Sequence, residues 1–161
     1  MPFCSWGGGC TLFKDMKSSK DDFFSELNAI PSSVKPEAVQ GVGVLVGAEM
    51  LFDPSHSLDY PLDSRFGEEL ELDLRKCFFI GVGAGFAETL CRFWRRLLPP
   101  EPDRRDFYYN GLEYEWQRCV SLLGMMPKNI QSIVFDGFRE ELTQRELNDE
   151  IRSFLTDKFK R

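Results

Sequence analysis

Apolar residues recur at helical spacing in four stretches of the chain. Phe23, Phe24, Leu27 and Ile30 follow Ser19, which can cap free amides, and Asp21 and Asp22, which fall in the positive first turn; Pro31 ends the run. Phe86, Leu90, Phe93, Trp94 and Leu97 form a second stripe, with Glu88, Arg92, Arg95 and Arg96 opposite, and Pro99-Pro100 stops it. Asn110-Gly111-Leu112-Glu113 has the spacing of a capping box and opens a third stripe of Leu112, Trp116, Cys119, Val120 and Leu123, closed by Gly124 and Pro127. Thr143-Gln144-Arg145-Glu146 reads as another such box, so a helix should restart at Thr143 and run through Leu147, Ile151, Phe154, Leu155 and Phe159 to the cations Lys158, Lys160 and Arg161.

Three other stretches read with period two. After Pro36 closes a linker, residues 39–47 place Gly41, Gly43 and Gly47 on one pleat face and Val42, Val44 and Val46 on the other, which suits a central strand approached closely by another backbone. Residues 67–80 alternate Glu69, Glu71 and Asp73 with Leu70, Leu72 and Leu74 and then turn wholly apolar, the pattern of a strand whose second half is buried on both faces. Ile130 to Phe135 is a short strand turned by Asp136-Gly137. The expected fold is therefore α/β or α+β, a small mixed sheet of three to four strands covered by four helices. Residues 1–17, with three consecutive glycines, read as an irregular arm, and residues 18–161 as a single globular domain.

The chain pivots on Gly81-Val82-Gly83-Ala84-Gly85, set between an expected strand and an expected helix. Phe78 to Phe86 resembles the first motif of S-adenosylmethionine-dependent methyltransferases, in which a hydrophobic strand runs into alternating glycines and a helix. That resemblance implies a cofactor held at Gly81, Gly83 and Gly85. Phe79 stands where the motif carries an acid, and Phe86 where the dinucleotide version carries its third glycine. The competing reading is a tight turn whose glycines let backbone meet backbone, with no cofactor.

Composition narrows the function more than it names it. Five cysteines, three of them (Cys77, Cys91, Cys119) among apolar neighbours, read as reduced core thiols and point to the cytoplasm. A single histidine, His56, in the long loop 52–66 leaves no metal set and no nucleophile partnership. No stretch reaches the ~20 apolar residues of a membrane span. With 26 acidic against 20 basic residues, the field disfavours nucleic acid and favours a cationic partner. The expectation is thus a non-enzymatic acidic binding protein of the inhibitor, immunity-protein or adaptor class. It would meet a protein partner with a basic surface through Glu69, Glu71 and Asp73, with Tyr108, Tyr109 and Tyr114 as aromatic anchors. The alternative is a small transferase using S-adenosylmethionine or a nucleotide at the Gly81–Gly85 turn.

Overall fold

The computed structural model describes residues 12, 20–52, 70–96, 105–145, 147 and 149–159, and no strand occurs among them. The elements are α1 (Lys20–Ala29), α2 (Lys35–Phe52), α3 (Leu72–Arg96), α4 (Arg105–Gly124), α5 (Lys128–Gln144) and α6 (Asp149–Phe159). The expected sheet is corrected throughout: residues 39–47 lie in α2, 72–80 in α3 and 130–135 in α5. Leu72 shows why. A strand would bury it with Leu70 and Leu74, whereas it is 76% exposed while Leu70, Leu74 and Phe78, each four apart, are buried.

Two expected helix starts also move. α4 begins at Arg105, so Asn110 is an exposed interior residue rather than a cap. Thr143 closes α5 instead of opening α6, its hydroxyl donating to the Glu140 carbonyl at 2.7 Å. Pro36 falls in the first turn of α2, where its missing N–H costs nothing. The first helix forms where it is expected, with Asp21 and Asp22 in the first turn, Phe23 and Leu27 buried and Phe24 and Ile30 half-buried; Ser19 lies outside the described residues.

α3 is the centre of the bundle, and glycine sets how closely its neighbours approach. A Cβ on Gly81 would lie 2.1 Å from the Gln40 carbonyl oxygen, and one on Gly43 would lie 2.1 Å from that of Phe78. One turn on, Gly85 faces the Val44 oxygen and Gly47 the Val82 oxygen, both at 2.2 Å. Gly43 thus pairs with Gly81 and Gly47 with Gly85, each Cβ position aimed at the carbonyl three residues before its partner. The contacts advance together along both chains, so α2 and α3 run parallel. Backbones this near exchange Cα–H···O contacts and extensive dispersion, as in glycine-xxx-glycine pairs generally.

The opposite side of α3 repeats the arrangement. Gly83 faces the Val134 oxygen at 1.9 Å and Gly137 faces the Ile80 oxygen at 2.2 Å. The Asp136-Gly137 turn expected from the sequence is therefore mid-helix, with Gly137 buried against α3. α5 points the same way as α3, and α4 returns between them.

The remaining helices attach through side chains. α4 buries Leu112, Trp116, Cys119 and Leu122, each large apolar group contributing roughly 1.5–3 kcal/mol. Arg118 of α4 donates to the Leu51 carbonyl in the last turn of α2 and pairs with Glu115 at 3.1 Å. It supplies the cation that the C-terminus of α2 lacks in its own last turn. Leu12, fully buried, belongs to the same core.

Candidate functional site

The acidic residues singled out in the sequence meet the structure at the start of α3. Leu70 and Leu74 anchor this end in the core. The Arg75 N–H donates to the Glu71 carbonyl at 2.8 Å, and its guanidinium reaches the Leu70 carbonyl at 3.5 Å, which fixes how the chain enters the helix. That geometry turns Glu71, Leu72 and Asp73 together into solvent. Asp73 also sits in the first turn, where the helix dipole favours a carboxylate. Lys76 is exposed one turn further on. Glu69 lies outside the described residues.

Leu72 is the most exposed large apolar side chain among the described residues. The period-two reading hid it, because it assigned Leu72 to the buried face. Read with a four-residue step through Leu70, Leu74 and Phe78, the same letters place it outside.

The aromatic half of the expected site is elsewhere. Tyr109 and Tyr114 are exposed on α4, at 41% and 65%, and the side chain of Tyr108 lies outside the described residues. α4 starts at the far end of α3 and runs back, so by helix rise these tyrosines stand on the order of 20 Å along the bundle from Leu72. The structure does not bring them together with Glu71 and Asp73 into one patch.

Gly81, Gly83 and Gly85 sit in the middle of α3, in no strand-to-helix turn, and each Cβ position is occupied by a neighbouring helix backbone. Their amides lie within the helix, and Thr89 donates its hydroxyl to the Gly85 carbonyl at 2.9 Å. The loop 52–66 with His56 lies outside the described residues.

A second surface feature was not anticipated. Between the end of α5 and α6 is a groove of about 170 Å³ with Leu142, Leu147, Leu155 and Phe159 on its apolar wall and Arg145 and Arg152 at its edge. Arg145 is held by Glu141 at 2.9 Å. The misplaced helix start at Thr143 concealed this junction in the sequence.

The thiols are quiet. Cys91 and Cys119 are buried and Cys77 is half-buried, and none of the three is in a disulfide. Burial pushes the Cys119 thiol well up, helped by Glu115 and opposed by Arg118. Burial, then Asp73, raises Cys77. Among the described residues no group of three His, Cys, Asp or Glu side chains could hold a metal ion, and no helix is long and apolar enough to cross a membrane. Comparison with protein-family models, curated proteins and solved structures finds no match to the chain.

Proposed function

We propose that the chain is a non-enzymatic binding protein of the cytoplasm, of the inhibitor, immunity-protein or adaptor class, acting on a protein partner with a basic surface. The observation that carries this reading is Leu72, exposed at the head of the central helix between the exposed carboxylates of Glu71 and Asp73. An apolar side chain in a charged rim is the usual make-up of a contact centre: the leucine gains by leaving water, and the carboxylates steer and select a cationic partner. The net charge of −6 extends that field over the molecule. Leu72 contributes nothing to the core, so its cost in water is unrecovered in the isolated chain.

A photo-crosslinking residue at position 72, in the cells that make the protein, tests this directly. A discrete protein adduct is expected at 72 and not at Ser121, an exposed position on α4. Glu71→Lys with Asp73→Lys should abolish it, and raised salt should weaken it. Absence of an adduct at 72, or the same adducts at both positions, would remove the proposal.

A further inference from the structure

α6 is held in a different way from the glycine-locked helices. Its contacts with the body are made by side chains, and among the described residues it makes no backbone approach like those of α2 and α5 on α3. Phe154 lies edge-on to Trp94 and Trp116, with ring centroids 6.3 and 6.4 Å apart. Phe159 lies edge-on to Trp116 and Phe135 at 5.7 and 5.8 Å. Lys158 reaches across to Glu113 at 2.6 Å and lies 5.1 Å from the Phe154 ring centre. Ile151 and Leu155 are buried beneath. These five positions, 151, 154, 155, 158 and 159, follow the i, i+3, i+4, i+7, i+8 rule for one face of a helix.

The seating is incomplete on two sides. The seam with the end of α5 is the open groove bordered by Leu142, Leu155 and Phe159. The indole N–H of Trp94, whose ring meets Phe154, is buried with no acceptor among the described residues. At 11 residues α6 is also shorter than an isolated helix needs in water, so it is a helix only while it is seated. Lifting it breaks none of the glycine contacts that fix α2, α3 and α5.

We infer that the surface made by Trp94, Trp116, Phe135, Phe138 and Glu113 is a helix-receiving groove with α6 as its resident ligand. It accepts in trans an amphipathic helix with large apolar residues at i, i+3, i+4 and i+8 and a lysine or arginine at i+7. The resident helix defines that partner: its aromatics match the tryptophan floor, and its one inward cation meets the carboxylate of Glu113. This surface is separate from the head of α3, so it stands or falls apart from the function proposed above.

The test uses the full chain carrying Phe154→Ala and Phe159→Ala, with far-UV circular dichroism to confirm the fold. A fluorescein-labelled peptide of residues 147–161 is titrated with it and followed by anisotropy. The variant should bind at least tenfold more tightly than the unaltered chain, whose own α6 competes. A second peptide keeping only Ile151, Phe154, Leu155, Lys158 and Phe159 on an alanine and glutamine background should bind equally well. A peptide with Lys158→Glu should bind tenfold more weakly, and Glu113→Lys in the protein should restore it. Where the double substitution unfolds the chain, the full chain with Lys158→Glu alone takes its place in the same titrations. No binding to a folded variant, equal affinity for variant and unaltered chains, binding of the native peptide only, or failure of the charge exchange would each overturn the inference.

Discussion

A methyl group added at Gly81 or Gly83 measures directly how tightly the bundle is closed. The Cβ of Gly81→Ala would stand 2.1 Å from the Gln40 oxygen, and that of Gly83→Ala 1.9 Å from the Val134 oxygen. Carbon and carbonyl oxygen approach to about 3.3 Å at best, so α3 must part from its neighbour by roughly 1 Å. Both obstacles are backbone, which cannot rotate aside as a side chain can. Overpacking of this kind costs about 1–3 kcal/mol and occasionally more, against about 0.5–1 kcal/mol gained from alanine's helix propensity. The net expectation is a loss on the order of 1–2 kcal/mol, or more at Gly83. At roughly 2–4 °C per kcal/mol for a chain of this size, Tm should fall by several degrees. Gly124→Ala is the internal control: nothing lies within 4 Å of its Cβ position, so only the propensity gain remains and Tm should rise slightly. Gly43→Ala combined with Gly81→Ala should cost less than the sum, because both open one contact. Gly81→Ala with Gly83→Ala, on opposite faces of α3, should come nearer to additivity. Urea and thermal unfolding followed by circular dichroism and tryptophan fluorescence read all of these. Gly81→Ala and Gly83→Ala variants as stable as the unaltered protein would refute the close approach.

Three further outcomes follow from other contacts. Arg118→Ala removes both the donor to Leu51 and the cation at the end of α2, and should cost about 1–2 kcal/mol in urea unfolding, with Arg118→Lys recovering part. Because the folded chain holds the Cys119 proton above the ordinary thiol range, it binds more protons than the unfolded chain once the pH passes about 9, and stability falls as pH rises further, by at most about 1.4 kcal/mol per unit. Cys119→Ala should flatten that decline between pH 9 and 10.5; parallel curves would refute it. Leu72→Gln, at a site 76% exposed, should leave stability within about 0.5 kcal/mol, so that any loss of partner binding reports the surface and not the fold.

The residues that misled the sequence reading are the ones that hold the bundle together. α1, α4 and α6 face water on one side, so their apolar stripes carry a helical period that can be read directly. The middles of α2 and α3 are buried all round: 81 to 87 are buried without a break, and 41 to 44 likewise. A helix with no polar face has no stripe, and periodicity then cannot separate it from a buried strand. Valine alternating with glycine in α2 tipped that balance toward a pleat. The same limit applied to the site: alternation predicted carboxylates on one face and leucines buried on the other, whereas Leu72, where the helix begins, comes out into solvent together with Glu71 and Asp73. What could have been read was the four-residue step repeated in Gly43–Gly47 and Gly81–Gly85, because two segments with that step can pair as helices. Alternate glycines at 81, 83 and 85 then acquire a meaning other than a phosphate-cradling turn. Positions two apart in a helix lie on nearly opposite sides, so 81 and 85 serve α2 while 83 serves α5. A run of this kind marks a helix clasped between two others.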